Sequence, residues 1–143
     1  MASLDKDIQK AVDQEVKAAA RKASQAVKKV AREQFSGTDT PADLRRKDHP
    51  YAKRHGSPLQ DPAKVNKQTG RAYYAWQADP VEQSPGKTTA GASNDDPVVT
   101  KFLEPGTKKM FARTFRDAIL AKAGPIVMKI AEKTAQTIAD KFR

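Results

Sequence analysis

Apolar positions in the first 35 residues recur every three to four places: Leu4, Ile8, Val12 and Val16, then Ala19 or Ala20, Ala23, Val27 and Val30. That period predicts one long helix over residues 3–35, because no Pro or Gly interrupts it before Gly37. Ser3 is placed to cap it, and Asp5 and Asp7 fall in the first turn, where the helix dipole favours acids. The stripe is narrow and rich in alanine, which allows close helix packing but buries little apolar area per residue. Two placements are open: an ordinary core helix, or a helix that projects from a small body or lies across a neighbour.

The period disappears over residues 36–64, where Gly37, Pro41, Pro50, Gly56, Pro58 and Pro62 interrupt it. This predicts an extended loop, and loops of such length inside small domains are usually functional or disordered. Within it, Arg45, Arg46, Lys47, Lys53 and Arg54 surround Tyr51, His49 and His55, the composition of a basic docking arm.

Residues 71–78, with Tyr73, Tyr74 and Trp76, read as a strand ended by Asp79-Pro80. Tyr73 and Trp76 differ in strand parity, so one face fills the core and the other meets a neighbour. Trp76 is therefore grouped with the arm as a docking residue. Pro85-Gly86, Gly91 and Asn94-Asp95-Asp96 make residues 82–96 a mobile loop or hairpin tip. Residues 97–103 read as a second strand, turned by Pro105-Gly106, and Val65 is placed to begin a short strand before the Thr69-Gly70 turn.

Helical spacing returns with Met110, Phe111, Phe115, Ala118 and Ile119, which predicts a helix over 109–122. Gly124-Pro125 breaks or kinks it. A further stretch over 125–142 carries Ile126, Val127, Ile130, Ala131, Thr134, Ile138 and Phe142, with Pro125 in a first turn, where proline is tolerated. The order gives an α+β fold with a long N-terminal helix, a small antiparallel sheet with extended loops, and a C-terminal helix or kinked helix pair. It reads as a single domain, 1–143: helix 1–35, basic arm 36–64, small sheet 65–107 with the mobile loop 82–96, and helices 108–143.

Composition narrows the function classes. Hydrophobic residues are 38% of the chain and charged residues 31%, which predicts a thin core and apolar surface left for partners. The absence of cysteine removes disulfides, thiolate metal sites and thiol nucleophiles. No run approaches the ~20 apolar residues that span a bilayer, and the first residues lack the apolar stretch of a secretion signal. The chain reads as soluble and made in a reducing cytosol. Its net charge of +10 is segmental. Residues 1–35 carry eight cations and five acids, 36–71 eight and four, 72–104 two and five, and 105–143 nine and three. An acidic middle between basic flanks suits head-to-tail contact between copies at least as well as a DNA-binding face.

Candidate chemistry is sparse. His49 and His55 are too few for a metal site, and their basic surroundings repel a cation. Ser57 lacks the strand-turn-helix elbow of a serine nucleophile. Asp95 and Asp96 resemble turn residues rather than a catalytic pair. Gly86-Lys87-Thr88 echoes a phosphate loop, but the glycine required upstream is Val81. No catalytic residue, metal site or cofactor is expected, and the chain does not read as an enzyme. Stacking of Tyr51, Tyr73, Tyr74 and Trp76 on single-stranded nucleic acid is the alternative, weakened by the separation of aromatic from basic residues.

Two patches carry a resemblance. One is Val65-Asn66-Lys67-Gln68-Thr69-Gly70-Arg71 running into a strand. The other is Phe102-Leu103-Glu104-Pro105-Gly106-Thr107-Lys108-Lys109-Met110-Phe111-Ala112-Arg113-Thr114-Phe115 running into a helix. Together with the long first helix they resemble tailed-bacteriophage neck (head–tail joining, tail-completion) proteins, in which a Thr-Gly turn opens the sheet. In these proteins a Glu-x-Gly-Thr segment also closes a later strand, and a Met-x-Ala-Arg-Pro-Phe stretch starts the terminal helix. Gly70, Glu104, Gly106, Thr107, Met110, Ala112, Arg113 and Phe115 match, Thr114 stands in place of the proline, and the match covers about half of the chain. Residues 36–64 and 82–96 have no counterpart in the pattern. The matched residues are folding residues: Gly70 and Gly106 for positive φ, Glu104 for backbone amides or Arg113, Phe115 and Met110 to anchor the helix.

The resemblance implies a virion protein assembled in the host cytoplasm. It would form a ring with copies of itself, sixfold or twelvefold, between portal or adaptor and tail proteins. DNA would pass through the channel without sequence-specific contact, and no membrane is involved. A cyclic ring needs two different complementary surfaces on each subunit. The basic ends and acidic middle are candidates. The alternative function is a basic nucleic-acid-binding protein.

Overall fold

A computed structural model describes residues 2–37, 63, 65, 70–106, 112 and 114–143. The fold is α+β, in the order helix, short strands, helix. Helix α1, Ala2–Gln34, spans 33 residues, about 50 Å at 1.5 Å per residue. It begins one residue earlier than the sequence suggested, so Ser3 lies in its first turn. Its end is tied down by backbone: Val65 N–H donates to Gln34 O at 2.8 Å, and Gly37 N–H donates to Val65 O at 3.0 Å.

The segment expected to be one strand over 71–78 divides. Gly70, at φ 83°, turns the chain into a short helical element α2, Arg71–Tyr74, and only Trp76–Ala78 forms a strand, β1. β1 pairs antiparallel with β4, Ala92–Asn94, in the register Trp76↔Asn94 and Ala78↔Ala92. Between them a separate hairpin pairs β2, Glu82–Ser84, with β3, Lys87–Thr89. Pro85-Gly86 is its turn, and Gly86 supplies the required φ of +73°. The expected hairpin tip is thus present.

The second expected strand is helical instead. Asp96 precedes Pro97, and its carboxylate accepts the Val98 N–H at 2.9 Å, while its carbonyl accepts the N–H groups of Val99 and Thr100. A π-helical turn then runs over Val99–Leu103. An acid followed by proline is a helix-start signature. Here it overrides the β-branched Val98-Val99-Thr100 run that suggested a strand.

The C-terminal third is one helix, α3, Phe115–Lys141, with Pro125 inside it. This corrects two expectations. The helix starts at Phe115 rather than 109, since Ala112 and Thr114 are not helical. It also continues through Gly124-Pro125. Proline crowds the residue before it when that residue is helical, and Gly124, without Cβ, relieves the crowding. The lost N–H leaves the Ala121 carbonyl without its helical donor, but Ala121 is exposed.

Helices α1 and α3 run antiparallel. The Phe35 ring meets the Phe115 ring at 5.0 Å, and at the other end Lys141 pairs with Glu15 at 3.2 Å. The core lies where Phe35, Phe115 and Trp76 converge edge-to-face. Val30, Ala31, Val65, Val99, Leu103, Ile119 and Ala123 complete it. Twelve hydrophobic residues are buried among those described.

Candidate assembly surfaces

The residues singled out in sequence fall into three groups. Arg45, Arg46, Lys47, Tyr51, Lys53 and Arg54 of the basic arm lie outside the described residues, as do His49, His55, Thr107, Met110 and Arg113. Trp76, grouped with the arm, is instead 8% exposed and part of the core. The strand begins at Trp76, so the parity counted from Tyr73 does not apply. Gly70, Glu104, Gly106 and Phe115 sit at the junctions their folding roles require. Gly70 and Gly106 have φ of 83° and 75°, and Phe115 is buried. Glu104 pairs with Arg116 at 2.5 Å; Arg113, the partner expected from sequence, lies outside the described residues.

Around Trp76 several polar side chains converge. Arg32 donates through Nη2 to Trp76 O at 3.1 Å, and its guanidinium lies 5.5 Å from the Tyr73 ring centre and 5.6 Å from that of Tyr74. This stack explains why Tyr73 and Tyr74 sit in a helical turn despite their strand preference. Arg32 Nε–H and Trp76 Nε1–H are buried and meet no acceptor among the described residues. Arg71 pairs with the buried Asp96 at 3.1 Å. Asp96 therefore caps a helix and holds a cation, which is structural work. Trp76, Val99, Phe115, Ile119 and Leu120 border a cleft of about 390 Å³, with Glu104 and Arg116 at its rim.

Apolar side chains lie on the outward faces of the two long helices. On α1, residues 3–10 are all exposed, with Leu4 at 61% and Ile8 at 38%. Since α3 ends beside Glu15, residues 2–14, about 20 Å of helix, overhang the helix pair. The β2–β3 hairpin reaches α1 at Asp13, whose carbonyl accepts from Gln83 Nε2 at 3.2 Å. On α3, Leu120, Gly124, Met128, Ala131, Ala135 and Phe142 fall on one side at 100° per residue, beside the strip that faces α1. Leu120 is 63% exposed and Met128 59%. Lys122, Lys129 and Lys133 lie across the helix from this flank. Where the flank meets α1, a groove of about 320 Å³ opens. Its α1 wall is Val16, Ala19, Ala20 and Ala23; α3 supplies the wall opposite and Ala90 the edge.

Charge is divided along α1 as well. Residues 2–15 carry four acids, Asp5, Asp7, Asp13 and Glu15, against Lys6 and Lys10. Residues 16–32 carry six cations and no acid. The long apolar flank was hidden in sequence because Gly124-Pro125 suggested two separate helices, and a periodic stripe is read only within one element. Among the described residues no helix is long and apolar enough to cross a membrane. Compared with family models, with curated proteins and with solved structures, the chain finds no match.

Proposed function

We propose that this chain is a structural subunit of a tailed-bacteriophage neck, a non-enzymatic protein that forms a ring joining the head to the tail and continuing the DNA channel. The reading is carried by the run from Glu104 to Phe115, which resembles the neck-protein pattern between the sheet and the terminal helix. Local geometry is consistent with the folding roles of that run: Gly106 takes positive φ, Glu104 holds Arg116, and Phe115 anchors α3. Apolar surface left open on α1 and α3 supports work by protein contact rather than by catalysis. Copies of the chain, the portal or adaptor, and tail proteins are the proposed partners. The alternative, nucleic-acid binding, rests on the six cations of residues 16–32.

Light scattering across concentration and salt, with and without short duplex DNA, separates the two. A discrete multimer, or a monomer indifferent to DNA at physiological salt, supports the neck reading. DNA binding that fades steeply with salt and occurs without self-association replaces it with the alternative.

A further inference from the structure

We propose that the overhanging first turns of α1 dock into the groove between α1 and α3 of a second copy, giving a head-to-tail contact between subunits. The inference rests on the ring reading and names the surface that would close the ring.

Both halves of the contact are present on each chain. The overhang exposes Leu4 and Ile8, one helical turn apart; among the described residues α3 meets α1 at Glu15 and the hairpin bonds to it at Asp13, and neither covers them. The groove is apolar, open and floored by alanines, which let another helix approach closely. Its α3 wall runs from Val127 to Ile138, about 16 Å of helix, and Leu4 to Val12 span about 12 Å. A straight helix cannot bring its own first turns back to its middle, so the occupant must come from another molecule.

Charge selects the same pairing. At 100° per residue, Asp5 and Asp7 border the Leu4–Ile8 stripe on either side, and Lys6 and Lys10 lie on the opposite face. The docking end thus presents acids, whereas the α1 stretch that forms the groove wall, residues 16–23, carries Lys17, Arg21 and Lys22 and no acid. Two overhangs brought together would oppose acid to acid, and two groove regions cation to cation. Only overhang to groove joins opposite charges and apolar to apolar. A contact between two different patches is heterologous, and it closes into a ring when its rotation permits.

The absence of cysteine makes the test direct. Two full-length variants, Ile8→Cys and Ala131→Cys, change exposed positions and should keep the fold, which circular dichroism checks. They are treated with a short thiol-reactive cross-linker, separately and mixed. The expected result is a cross-linked dimer from the mixture and none from either variant alone, with the yield falling as salt rises. A companion variant, Leu4→Asp with Ile8→Asp, should lose the multimer of the unaltered chain without losing helix content. A multimer that persists in that variant, or Ile8→Cys chains that link to each other, overturns the docking and leaves the ring reading intact. A DNA-indifferent monomer whose mixture does not cross-link also overturns the docking alone. Salt-sensitive DNA binding without self-association overturns both.

Discussion

At the scale of single residues, three aromatic side chains hold the molecule. Phe35 directly follows α1, Trp76 opens β1 and Phe115 opens α3, so the three rings tie three elements together. Phe115→Ala is expected to cost about 3–5 kcal/mol, the usual range for a buried phenylalanine. Against a total stability of order 5–15 kcal/mol that is a large share, and chemical denaturation followed by circular dichroism measures it directly. Asp96 offers a sharper test. It accepts the Val98 N–H and pairs with Arg71, and Asp96→Ala removes both at an expected cost of about 1–2 kcal/mol. Asp96→Asn, which keeps an oxygen for capping, should lose less. Equal losses in the two variants would show that the ion pair, rather than the cap, carries the effect.

At the scale of elements, Gly124 and Pro125 stand inside α3. A Cβ placed on Gly124 meets nothing within 4 Å. Gly124→Ala alone sets alanine before a proline, where helical backbone is crowded, so the gain is expected in the double variant Gly124→Ala with Pro125→Ala. Restoring the backbone donor and helix propensity should stabilise the folded chain by up to about 3 kcal/mol, read as a raised thermal midpoint. The same pair shows why sequence was a partial guide. The long first helix was legible because its period runs unbroken, and the α+β order followed from the spacing of apolar runs. What misled were local signals overruled by tertiary contact. Gly124-Pro125 signals a break, yet Ile119 and Ala123 before it and Ile130 and Thr134 after it pack on one partner, α1. Tyr73, Tyr74 and Val98-Val99-Thr100 carry strand preference, yet Arg32 stacks on the first pair and Asp96 caps the second stretch. The candidate surfaces were less legible than the fold. Exposure depends on how elements are set side by side, and the overhang becomes visible only once Lys141 is seen to meet α1 at Glu15.

At the scale of the whole molecule, the segmental charge pattern is tested through the proposed assembly. Exposed ion pairs contribute little to folding. Charge reversal at Arg45, Arg46 and Lys47 together is expected to impair assembly, measured as multimer yield, with the circular dichroism spectrum unchanged. Unaltered yield would remove the basic arm from the docking machinery. The few buried apolar residues and the open apolar faces go together: apolar side chains not used in the interior stand on the surface.

The chain has a single tryptophan, and it is buried between two phenylalanines at the junction of α1, β1 and α3. Its fluorescence therefore reports the integrity of the fold and little else. The overhang and the groove lie along the helices, away from this ring, so association should leave its emission unchanged while unfolding shifts it towards the red. One intrinsic optical signal can thus follow folding while scattered light follows assembly, in the same cuvette and without a label.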